Sequence, residues 1–166
     1  MPQAFVSNLN DNTRTEMAAL LNARLADGIH LKLAVKQAHW NLKGPGFIGI
    51  HELLDDVADR CREHADTIAE RCVILGGQAK GTSQVVASES SLDAYPVDAQ
   101  HQSHHVHALK DRFMAFGASL RKGIEAAGDA GDEDTADLFT EVSRVIDKDA
   151  WFIGAHNAKG DDAPAG

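Results

Sequence analysis

Apolar residues recur along this chain at spacings of three and four, the period of a helix buried along one face. From about Asp11 to Leu42 the series is Met17, Leu21, Leu25, Gly28, Leu31, Val35, Ala38 and Leu42. The run "KGPG" stops it, because Pro45 has no amide hydrogen to donate and the glycines relax the backbone. A second series holds Phe47, Ile50, Leu54, Val57, Cys61, Ile68, Cys72 and Leu75. It predicts a helix from about Phe47 to Leu75, closed by Gly76 and Gly77. The connection "QAKGTSQVVASESSLDAYPVD" breaks the pattern, with room for one short helical turn near Ser91. A third helix is expected over about Asp98 to Ala127. The stretch "AGDAGDED" parts it from a fourth, roughly Asp132 to Asn157.

Two helical hairpins joined by a long crossover make an all-α four-helix bundle with one long connection, the ferritin-like arrangement. Residues 11–157 form that bundle, with a short N-terminal tail over 1–10 and a flexible C-terminal tail over 158–166. No internal repeat or low-complexity tract divides the chain.

Composition supports helices. Hydrophobic residues make up 43% and charged residues 25%, with few aromatics and four prolines, the balance of a globular helical protein. The net charge of −9 repels phosphate backbones and attracts cations. Arg14 and Arg24 are the basic residues among the first 31, and the closing "AKGDDAPAG" is acidic and small, so neither end reads as a basic arm. No apolar run of about 18 residues predicts a membrane span. The first residues lack the charged start and apolar stretch of a secretion signal. Two cysteines, Cys61 and Cys72, are too few for a disulfide scaffold. A cytoplasmic protein is expected, with nucleoid association left open.

The chemistry concentrates on the second helix. Projected at about 100° per residue, its apolar stripe centres near Val57 and Cys61. His51, Asp55, Asp66 and Glu70 share a separate face that should point out of the core. His51 and Asp55 are four apart, so their side chains meet, and Asp66 and Glu70 repeat the spacing. Imidazole and carboxylate donors suit divalent iron. Asp55 and Asp66 are nonetheless eleven residues apart, about 16 Å at ~1.5 Å per residue, whereas metal–ligand bonds are ~2 Å. One chain cannot gather both pairs around one ion. Either the pairs are unrelated surface groups, or a two-fold axis lays a second subunit antiparallel and creates two equivalent composite sites. His39, just before the turn that leads back to His51, could complete the first half. Beside Trp40 it could equally be a hydrogen-bonded core or interface histidine.

Several motifs carry a resemblance. "KQAHWN" followed by a glycine turn, "F-I-x-x-H-E-x-L-D", "D-T-x-A-E-R", "LGG", "GTSQV", "YPVD", "DEDTADLF" and "DKDAWFI" resemble the DNA-protection-during-starvation proteins, the Dps group of mini-ferritins, over roughly residues 28–153. The resemblance implies a hollow shell of twelve identical subunits that oxidises Fe(II), often with hydrogen peroxide, and stores ferric mineral. By matching motifs it implies that His39, His51 and Asp55 come from one subunit and Asp66 and Glu70 from its two-fold partner. Iron is the implied metal, and peroxide or dioxygen the implied oxidant. No pair of Glu-x-x-His motifs stands on separate helices, so a di-iron centre inside the bundle is not expected. Trp40 and Trp151 could lie near the chemistry and absorb stray oxidising equivalents, or serve as interface anchors.

"GDAGDEDTAD" gathers Asp129, Asp132, Glu133, Asp134 and Asp137, which could cap a helix or, as the resemblance implies, line three-fold pores that draw in iron. "HQSHHVH" sets His101, His104, His105 and His107 within two turns; with no adjacent carboxylate or cysteine to complete a site, it reads as a solvated or interface face. Cys61 and Cys72 read as small buried hydrophobes. Against an iron-oxidising, iron-storing shell stand a nucleoid protein that compacts DNA directly and a purely structural or adhesive cage. The missing basic tails and the acidic charge oppose direct DNA binding.

Overall fold

The computed structural model describes residues 3–157; the C-terminal tail expected from residue 158 lies outside the described residues. Among the described residues five α-helices follow one another: α1 (Asp11–Asn41), α2 (Phe47–Ile74), α3 (Ser83–Glu89), α4 (Gln102–Asp129) and α5 (Glu133–Gly154), with a 3-10 turn over Ala155–Asn157. α1 and α2 pair as one hairpin, α4 and α5 as the other, with α1 against α4 and α2 against α5. The short α3 rides on α1 within the crossover.

Each helix begins and ends where local chemistry dictates. Asn10 caps α1 by accepting the Thr13 amide at 2.9 Å. Leu21, Leu25, Leu31 and Val35 then bury one stripe, facing Leu54, Ile68, Phe113, Phe116 and Phe139 from the other helices. Gly44 turns the chain at φ +146°, and a side chain there would run into Gln102. Gln102 Oε1 accepts the Gly46 amide at 2.7 Å, so the α1–α2 turn is held by the start of α4. After α2, Gly77 passes so close to Ala18 and the Cys72 carbonyl that a Cβ would stand 2.7 Å and 2.9 Å from them.

α4 starts four residues later than the apolar pattern suggested. Lys43 donates to the Gln100 carbonyl and Gln102 to the Lys43 carbonyl, both at 2.8 Å. That pairing holds residues 100–102 extended, and His101 caps the helix by accepting the Ser103 amide.

The crossover is clamped to the bundle by ionic groups. Asp27, fully buried on α1, accepts the Ser91 amide at 2.6 Å and the hydroxyls of Ser90 and Ser91. Arg24 balances its charge at 3.1 Å. Arg112 on α4 donates to the carbonyls of Asp93 and Ala94 and lies under the Tyr95 ring. The Tyr95 hydroxyl pairs with His105 Nδ1 at 2.7 Å. His105 is therefore a core histidine, a correction for that residue to the reading of the cluster as a solvated or interface face; His101, His104 and His107 are exposed. The expectation of no neighbouring carboxylate is corrected too, since His107 Nε2 lies 3.3 Å from Asp111.

Candidate metal centre

The five candidate ligands fall into two groups on the α1–α2 hairpin. His39 is on the last turn of α1 and His51 on the first turns of α2, facing each other across the glycine turn. Their rings stack with centroids 3.8 Å apart. His39 Nδ1 pairs with the His51 carbonyl at 2.8 Å and His51 Nδ1 with the His39 carbonyl at 2.9 Å. A carbonyl only accepts, so both Nδ1 atoms carry the proton. In the neutral ring this leaves each Nε2 as a lone-pair donor, the arrangement in which a backbone partner orients a metal-ligating imidazole.

Asp55 stands one turn beyond His51 and is exposed. Its Oδ1 lies 3.8 Å from His39 Nε2 and accepts a hydrogen bond from Lys36 Nζ at 2.7 Å. That hydrogen bond is the main reason the Asp55 carboxyl is held below its ordinary range. Sequence reasoning missed Lys36, which is one turn before His39 on the same face; its partner lies on the other helix of the hairpin, beyond the reach of local spacing.

Asp66 and Glu70 are further along α2, both exposed. Asp66 lines a cleft with Leu25, Ile29, Lys32, Arg62 and Ala69, and Glu70 lines its continuation with Phe5, Val73 and Ile74. The two groups do not meet within the chain, as the helix rise demanded. Among the described residues, no three His, Cys, Asp or Glu side chains of one chain form a metal-holding cluster. The donors themselves, two imidazole nitrogens and three carboxylates, suit divalent iron. Trp40, 68% exposed, projects beside Lys36, whose Nζ lies 5.8 Å from its ring centre. Trp151 is exposed on α5.

The acidic cluster splits. Asp132 is buried and caps α5, accepting the Thr135 amide at 3.1 Å and the Thr135 hydroxyl at 2.5 Å. Arg71 on α2 pairs with it at 2.6 Å. Asp129, Glu133, Asp134 and Asp137 remain exposed. Both cysteines are free and buried; burial, then the Asp149 charge, pushes the Cys61 thiol up to about 12. Asp149 is itself buried and paired with Arg60 at 2.7 Å.

Comparison with known proteins matches the chain as a whole. The ferritin family profile, described as a ferritin-like domain, matches residues 18–162. A DNA protection during starvation protein of Agrobacterium fabrum is 47% identical over 150 residues, covering 90% of this chain and 93% of that one. The structure of Mycobacterium smegmatis Dps in a tetragonal form superposes with a TM-score of 0.91 at 32% identity, covering 96% of each chain. Dps from Microbacterium arborescens, solved in a high iron form, gives 0.84 at 32% identity, over 92% of this chain and all of that one.

Proposed function

Because the chain belongs to the DNA-protection-during-starvation group of ferritin-like proteins, we propose that it is a ferroxidase and iron store that shields DNA by removing iron and peroxide. The observation that carries this reading is the reciprocal pairing of His39 and His51. Each ring spends its Nδ1 proton on the other's carbonyl, which directs the Nε2 lone pairs outward beside Asp55.

Half a ligand set at each end of α2 calls for a two-fold partner running the opposite way. His39, His51 and Asp55 of one subunit then face Asp66 and Glu70 of the next, twice per dimer, and six such dimers close a twelve-subunit shell. Iron(II) is the substrate. Imidazole nitrogen and carboxylate oxygen hold it, and the carboxylates favour the ferric product. Hydrogen peroxide takes one electron from each of two Fe(II) ions and two protons, giving two Fe(III) and two waters, so no hydroxyl radical leaves. Dioxygen is the alternative acceptor. Ferric ions then hydrolyse and collect inside the shell.

The test is Fe(II) oxidation followed by absorbance with peroxide in stoichiometric supply. A His51→Ala, Asp55→Ala double variant should lose the fast phase by tenfold or more while still assembling. A double variant oxidising iron at the parent rate would remove this site from consideration.

A further inference from the structure

The histidines at the start of α4 take no part in the ferroxidase reading. His105 turns into the core toward Tyr95, and His101 spends its Nδ1 on the Ser103 amide and hydroxyl. His104 and His107 stay exposed. They line an open cleft of about 650 Å³ with Asp98, Ser103 and Asn157, which is room for an ion and its waters.

His107 Nε2 lies 3.3 Å from Asp111 Oδ2. A tetrahedral zinc with bonds of ~2.0–2.2 Å to imidazole and carboxylate holds those two atoms about 3.4 Å apart. The pair, i and i+4 on one helix face, thus already has the bite of a chelate. The two side chains are 70% and 52% exposed, so an ion reaches them without disturbing the fold. Lys110 Nζ approaches Asp111 on its other oxygen, Oδ1, at 3.6 Å. Both donors stand past the first turn of α4, where the positive end of the helix dipole has faded. Among the described residues no third donor of this kind closes on the pair. His104, one turn earlier on the same cleft, is the side chain in place to rotate in, with water filling what remains.

We propose that His107 and Asp111 form a further metal site on α4, with His104 as the third ligand, for a borderline transition dication, Zn(II) or Cu(II). An exposed chelate on one helix imposes little geometry of its own. The intrinsic order of affinities then decides, and it sets Cu(II) and Zn(II) above Fe(II). The site takes up the competitors of iron, one per chain, away from the turn that carries His39 and His51. It stands on its own donors and does not depend on the ferroxidase reading.

The test titrates Zn(II) by calorimetry into the assembled, tag-free His51→Ala, Asp55→Ala variant, in which the histidine half of the other candidate site is disabled. Zn(II) should still bind at one per chain. Adding His107→Ala should weaken it by about tenfold or more, since losing a ligand costs at least what losing a ligand's support does. Asp111→Asn should weaken it as well, and His104→Ala by less. Cu(II) loaded at one per chain should show nitrogen hyperfine splitting by electron paramagnetic resonance, reduced by His107→Ala. All three side chains are exposed, so melting temperatures should hold, and His107→Ala alone should oxidise Fe(II) at the parent rate. Zinc isotherms unaltered by His107→Ala or by Asp111→Asn overturn the inference, as does an absence of zinc uptake in the starting variant.

Discussion

Replacing Asp132 by alanine separates what the acidic turn does for folding from what it does for iron. The carboxylate is 1% exposed and the Arg71 guanidinium 10%. Removing it deletes the α5 cap, about 1 kcal/mol by itself. It also leaves Arg71 with a buried charge whose nearest remaining carboxylate, Asp134, is 3.7 Å away and 84% exposed. Breaking a buried pair from one side costs about 3–5 kcal/mol, and the cap loss is part of the same event rather than a separate sum. For a domain of this length, 1 kcal/mol moves the melting temperature by about 2–4 °C, so Asp132→Ala should lower it by roughly 6–20 °C. Asp134→Asn and Asp137→Asn touch exposed carboxylates and should stay within about 0.5 kcal/mol of the parent. Differential scanning calorimetry at matched protein concentration measures both, and stopped-flow iron uptake is read on the same samples. The exposed pair should slow uptake at unchanged stability. A shift below 2 °C for Asp132→Ala would refute the account of a buried, paired cap.

Acidification should destabilise the fold before the ordinary carboxylates titrate. Burial is the first cause that holds His30, His64 and His105 below their usual range. The unfolded chain therefore binds protons more readily, stability is fully present above about pH 6.5, and it declines as pH falls below that value toward the lowered folded ones. Urea midpoints at pH 7.5 and 5.5 measure this, with His64→Gln expected to flatten the slope; a midpoint that rises on acidification contradicts it. On DNA, the assembled shell should leave a duplex unshifted in a gel at physiological salt, as its charge of −9 per chain demands. It should still prevent nicking by iron and peroxide, whereas the His51→Ala, Asp55→Ala variant should not, and strong retardation by the parent would favour direct compaction instead.

Helices were legible because burial repeats with their period: Leu21 to Leu42 and Leu54 to Leu75 sit where the spacing puts them. The start of α4 was not, since the backbone pairing of Lys43 with residues 100–102 is contact between segments distant in sequence. His105 misled because three neighbouring histidines suggested a polar face; its steps of four to Leu109 and Phe113 carried the opposite signal. Buried Asp149 likewise lies three and four from Ile146 and Ile153, on the apolar stripe. The candidate ligands could be picked out by type and spacing, as could their separation along α2. The ring-to-carbonyl exchange between His39 and His51 and the Lys36 contact with Asp55 could not, because each joins two helices whose relative placement only the folded hairpin defines.

The His39–His51 exchange ties its two rings to main chain on both sides of the turn, independently of any bound ion. A chelator should strip such a site and leave its shape intact, unlike a zinc finger that collapses when emptied. On the ferroxidase reading, the histidine half of the site keeps its shape through iron scarcity and is ready the moment iron returns.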